Sequence, residues 1–171
     1  MAGITVEVQD AQLTARIADL QSGIADASPL MRVWGEIAQQ SIDENFDVGG
    51  RPQHWQPLAA ATINKRIKGR TNLTRLATKN LQSRNPFKVT FLRPLVGTGT
   101  LKKVTVKPAK NTVEIGSNPS AKAYAAIHQF GGQAGRGRKV TIPARPYILL
   151  QTEDEQEMRQ EALIYLRKIA S

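Results

Sequence analysis

The stretch VEIGSNPSAKAYAAIHQFGGQAGRGRKVTIPARPY, Val113–Tyr147, restricts the fold of this chain more than any other. It reads as a strand over Val113–Ile115, a Gly-Ser-Asn-Pro turn, a short helix over Ala121–Phe130, and a glycine-rich loop bearing Arg136, Arg138 and Lys139. A second short strand, Lys139–Ile142, closes the unit. Gly116, Asn118 and Pro119 break the first strand, while Gly131 and Gly132 take the positive φ that ends a helix. Pro143 and Pro146 keep the chain extended around Ala144 and Arg145, because proline drives the residue before it out of the helical region. The product is a compact β-α-loop-β unit.

Upstream, Ile4, Val6 and Val8 alternate with polar residues, the period of a half-buried strand. Asp10 then caps a helix to about Ile24, with Leu13, Ile17 and Leu20 at helical spacing. Ser28-Pro29 starts the next helix, a capping hydroxyl followed by a first-turn proline. This helix, Pro29–Phe46, turns Leu30, Trp34, Ile37 and Phe46 inward and Glu36, Asp43 and Asp47 outward. Asp47–Pro57 is a loop whose one large apolar group is Trp55. An indole buries much area and needs one acceptor, so Trp55 is expected to anchor that loop. Leu58–Ile67 is a short helix with Thr62, Lys65, Arg66 and Lys68 exposed.

Leu101–Lys107 and Asn111–Gly116 form an antiparallel hairpin through Pro108-Ala109-Lys110, with Val104, Val106, Val113 and Ile115 apolar. The last helix opens on Glu153, Asp154 and Glu155 and closes on Arg167 and Lys168, each sign suiting the helix dipole. Its apolar stripe, Met158, Leu163 or Ala162, Leu166 and Ile169, is expected to pack on the sheet. The fold class is therefore α+β: a small antiparallel sheet of Leu101–Lys107, Asn111–Gly116 and Lys139–Ile142, with Ile4–Val8 as a candidate fourth strand, covered by helices. At 171 residues and 40% hydrophobic side chains the chain suits one domain, 1–171.

The chemistry-bearing residues form no catalytic set. The absence of cysteine excludes disulfides and thiolate chemistry. Asp43, Asp47 and His54 meet no metal-site spacing, and Gly97–Gly99 leads into a strand, where a phosphate loop would precede a helix. His128 lies beside Tyr124 with no serine nucleophile or paired carboxylate nearby, so it reads as a structural histidine hydrogen-bonded under the glycine-rich loop, and Gln129 likewise. No enzyme activity, metal or cofactor is expected. No run reaches the length of a membrane span, and MAGITVEVQD lacks the basic and apolar parts of a signal peptide; synthesis and use in a cytoplasm are expected.

Charge is segregated. Residues 1–47 hold eight acids and two bases, residues 48–152 hold nineteen bases and only Glu114, and residues 153–171 hold five acids and three bases. Within the basic block, Gly69–Pro94 carries six bases and no acid, and residues 69–95 read as an extended arm. Such a block attracts polyanions. It equally suits solvated loops that pair with acidic helices of the same or a neighbouring subunit, and composition leaves both readings open.

The motifs YAAIHQFGG and IPARPYI, with GGRPQHWQPLAAATINKR and GTGTLKKV upstream, resemble the phage virion morphogenesis (tail completion) family of Mu-like and related tailed phages. The resemblance runs from about Phe46 to the C-terminus; Arg70–Leu95 departs from it in being longer and more basic. It implies a non-enzymatic virion protein of the neck or tail end, made in the host cytoplasm. Such a protein would complete the tail and enable head-tail joining as a homo-oligomeric ring around the DNA passage. Its partners would be copies of itself, neck, connector or tail proteins and, nonspecifically, genomic DNA, with no membrane. Trp55, Leu58, Tyr124, His128, Phe130, Pro143 and Pro146 are then expected to shape fold and contacts, and Arg136, Arg138 and Lys139 to touch a partner or DNA. The alternative is a free-standing basic nucleic-acid-binding protein.

Overall fold

The computed structural model describes residues 11–68, 93–97 and 99–170. The strand expected at Ile4–Val8, the Asp10 cap and the basic arm as far as residue 92 lie outside the described residues.

The chain adopts an α+β fold. In order come α1 (Ala11–Ala25), α2 (Ser28–Val48), α3 (Ala60–Lys68), β1 (Thr105–Pro108), β2 (Val113–Gly116), α4 (Lys122–Phe130), β3 (Gly132–Ala134), β4 (Val140–Ile142) and α5 (Thr152–Ala170). The central element is α2. Its apolar stripe of Leu30, Ile37, Ala38, Ile42 and Phe46 is buried, as helical periodicity requires. The expected hydroxyl cap at its start does not form. Ala27 occupies the cap position, and the Ser28 amide and hydroxyl both donate to the Asp26 carboxylate. Those two bonds hold the Asp26 carboxyl below its ordinary range.

One side of α2 carries the β1–β2 hairpin. Its register pairs Val106 with Ile115 and Lys107 with Glu114. Gly35 permits this close approach, because a Cβ there would lie 2.8 Å from Val106 Cγ1. The hairpin turn also reaches the end of α1 and the cap of α2: Asn111 Nδ2 donates to the Ala25 carbonyl at 3.4 Å, and its Oδ1 accepts from the Ala27 amide at 3.2 Å.

The C-terminal helix was expected on the sheet; it packs instead on α1 and α2. With the hairpin already on one side of α2, the stripe of α5 buries against the other. Trp34 Nε1 donates to the Met158 carbonyl (2.9 Å), and the Tyr165 hydroxyl to the Gly23 carbonyl (3.0 Å). Ala162 is half-buried and Leu163 exposed, so of the two stripe positions Ala162 is the packed one. The Asp154 carboxylate accepts from the Gln151 amide at 2.7 Å, the backward half of a capping box.

The expected single sheet is also replaced, by two separate two-stranded ribbons. The strand near Lys139–Ile142 pairs with β3, Gln133 opposite Thr141, and not with the hairpin. The cause is local. Gly131, at φ 75°, reverses the chain straight after α4, where a Cβ would meet the Ala144 amide at 2.8 Å. Residues 132–134 thus become the nearest partner of β4. The expected strand from Leu101 likewise shortens to Thr105–Pro108, with Leu101 buried in the core.

After β4 the chain runs from Pro143 to Leu150 with no paired strand among the described residues, bending at Ile148, and side chains satisfy much of its backbone. Gln129 Oε1 accepts from the Tyr147 and Ile148 amides (3.0 and 3.1 Å), and its Nε2 donates to the Ile148 carbonyl (2.9 Å). Asn45 Nδ2 donates to the carbonyls of Tyr147 (3.2 Å) and Leu149 (3.1 Å). The Tyr147 ring sits 5.6 Å from Phe46, which meets Trp55 edge-on at 5.4 Å.

Asn45 is fully buried. Asn45→Ala should therefore destabilise the protein by about 2–4 kcal/mol, since the buried Tyr147 carbonyl loses its side-chain donor, Arg51 Nε loses its acceptor and a void opens. Urea unfolding checks this against Gln160→Ala on the exposed face of α5, expected within about 0.5 kcal/mol of the parent.

Candidate functional site

The residues expected to shape fold and contacts divide into an inner and an outer group. Trp55 is 4% exposed and gives its one donor to the Pro146 carbonyl at 3.0 Å, the anchoring the sequence implied. Arg145, 5% exposed, holds the same loop from behind: Nε donates to the Gln56 carbonyl (2.9 Å) and Nη2 to that of Pro57 (3.2 Å). Its own amide donates to the His128 carbonyl. Loop, α4 and extended segment are thereby tied at one place.

Beside that junction lies a cavity of about 350 Å³ whose lining includes Leu58, Leu101, Tyr124, His128, Arg66 and Arg145. No carboxylate lines it among the described residues. The His128 ring stands edge-on to Tyr124 at 6.0 Å, and its Nδ1 is buried with no hydrogen-bond partner, which corrects the expectation of a hydrogen-bonded histidine. The glycine-rich loop does not cover it, because that loop folds away as the β3–β4 ribbon. Burial, then the positive charge of Arg145, lower the His128 pKa. The imidazole beside a buried guanidinium, packed with Leu58, Leu101 and Tyr124, gives this place the character of a packing junction.

The outer group is the ribbon. Arg136, Arg138 and Lys139 lie at its tip, all exposed. Arg138 holds φ 54°, a left-handed conformation that favours glycine, yet an arginine occupies it. At the ribbon's base Phe130 is 79% exposed, and Val140 on its flank 57%. Phe130 therefore lies outside the core.

Along α2, β1 borders a groove of about 640 Å³. Gly35, Val106 and Pro108 give it an apolar floor; Glu36, Asp43, Glu44 and Asp47 give it an acidic rim. Lys102 serves two of these acids, Asp47 at 2.9 Å and Asp43 at 3.8 Å. A further exposed apolar stripe runs along α1 through Leu13, Ile17 and Ile24; this helix has no buried residue.

Sequence reasoning missed the Arg51 junction. From the loop after α2, Arg51 donates to Glu44 (2.7 Å), Asn45 Oδ1 (3.0 Å) and the Ser41 carbonyl (3.0 Å), and approaches Glu153 at 3.5 Å. Ser41 in turn donates to Asp154. The available signal was Ser41 and Asn45 lying within the buried stripe of α2, where a polar residue must have partners.

The sequence pattern of the phage virion morphogenesis family matches residues 8–167. The chain belongs to that family. It is 33% identical over 165 residues, 96% of either chain, to the Mu-like prophage FluMu G protein 2 of Haemophilus influenzae. No solved structure matches it. As a phage virion morphogenesis protein it has a structural role in the phage particle or its assembly, which suits a molecule whose polar side chains are spent on fastening backbone segments.

The depressed His128 pKa fixes a pH dependence for this family member. The folded state keeps the imidazole neutral while the unfolded chain protonates near its ordinary value of about 6.5. Stability is thus complete above that value and falls as pH drops toward the lower folded pKa. The melting temperature should fall between about pH 7.5 and about pH 5.5, and His128→Gln should flatten that slope. An unchanged slope in the variant would assign the loss to other groups.

Proposed function

We propose that this protein completes the phage tail and makes it competent to join the DNA-filled head, acting at the neck as a homo-oligomeric ring around the DNA passage. The observation that carries the reading is the near-complete match to the Mu-like prophage protein, which covers 96% of both chains. The surface supports it: one chain carries an exposed basic ribbon with an apolar base and, elsewhere, an open groove with an acidic rim. A subunit with unlike faces associates head to tail, and a head-to-tail contact closes into a ring when its rotation permits. The basic block gives the ring a positive charge suited to a DNA channel, and its partners would be copies of itself and neighbouring neck, connector or tail proteins.

A phage lacking this gene should yield DNA-filled heads beside finished but unattached tails, and the purified protein should rescue joining in extracts. Mass photometry should find a discrete oligomer, alone or on added tail tubes. A strictly monomeric chain that binds duplex DNA tightly, with affinity falling steeply as salt rises, would favour a free-standing nucleic-acid-binding protein instead.

A further inference from the structure

We infer that the α2–β1 groove is the seat for the β3–β4 ribbon of a neighbouring copy, with Arg136 and Arg138 set against its acidic rim. The inference rests on the ring reading above and names the contact that builds the ring.

Two properties match independently. The ribbon tip is purely basic: from Phe130 to Ile142 there are three bases and no acid. The groove rim holds four carboxylates, and the described side chains answer them incompletely. Lys102 is shared by Asp43 and Asp47, while Arg51 divides itself among Glu44, Glu153 and Asp154. Glu36 is exposed on the same face, with Arg32 the only base lining the groove among the described residues. Guanidinium groups bind carboxylates two-pronged and lay their aliphatic stems on apolar surface. Here that surface is the floor of Gly35, Val106 and Pro108. The ribbon's own apolar parts, Phe130 and Val140, are exposed next to its charges.

The Arg138 backbone adds a third sign. A glycine would hold φ 54° with less strain, so the side chain is kept at a conformational cost, the pattern of a residue retained for contact. Because donor ribbon and acceptor groove are different parts of the chain, each copy offers one of each. A ring needs that arrangement, whereas a symmetric pairing of like faces would end at a dimer.

The test uses charge reversal at exposed positions. Arg136→Glu with Arg138→Glu makes the tip acidic; Glu36→Lys with Gln40→Lys makes the groove basic. Each variant alone should associate at least about tenfold more weakly than the parent, about 1.4 kcal/mol, with an unchanged melting curve. Mixing the two should restore association, since acidic tips then meet basic grooves. In parallel, the cysteine-free chain allows Gln40→Cys with Lys139→Cys, which a flexible bis-maleimide should join into a ladder of covalent oligomers. Either single cysteine should yield monomers only. If the parent forms a discrete oligomer that neither reversal weakens, or that yields no ladder, the groove is not the seat and the ring stands on another contact. Covalent dimers from a single cysteine would establish a like-to-like face and overturn the inference. A parent that stays monomeric, also with tail tubes present, removes the ring and this contact together.

Discussion

A segment with no paired strand must still satisfy its backbone polar groups; the run from Pro143 to Leu150 does so largely through side chains, while the Arg145 amide donates to the His128 carbonyl. Gln129 and Asn45, from two helices, serve three carbonyls and two amides between them, and Trp55 takes the carbonyl of Pro146. Each of these bonds joins segments that lie far apart in sequence. Together they lock α4, the loop after α2 and the start of α5 onto α2 itself. Phe46, Trp55 and Tyr147 fill the space so enclosed, and the bonds gain strength from the low dielectric there.

This inward commitment of polar groups governs what the molecule presents outward. His128 and Arg145 are spent on the junction, so the features left on the surface are of another kind: a short basic ribbon, a groove with an acidic rim and an apolar stripe on α1. They suit a structural virion protein. Segregation of charge along the sequence survives in three dimensions only in part, because Lys102 and Arg51 answer some of the α2 acids within the chain.

The parts of this fold legible in the sequence are those set by local chemistry. Gly116 and Gly131 end their elements as expected, the hairpin forms but turns later than expected, at Lys110-Asn111 with Pro108 paired to Val113, and Trp55 finds its one acceptor. Pairing across the fold was less legible. Period-two patterning marks β4 as a strand but does not say which strand it joins, and the glycine reversal after α4 hands it to β3. The stripe of α5 fits a sheet or a helix equally, and its choice was made by Gly35, which brings the hairpin onto the competing side of α2. The cap at Ser28 failed for a similar reason, since Asp26 two residues earlier outcompetes the helix for its hydroxyl. Of the candidate site, the basic tip was visible as GRGRK; the groove was not, because it joins α2 to a strand some seventy residues away.

Copies of this chain are proposed to meet through unlike faces to form part of the virion. Cryo-electron microscopy of the intact particle tests this most directly. The account predicts a closed ring of this chain between head and tail, each ribbon lying across its neighbour's α2. Particles with joined tails and no density for the chain would contradict it.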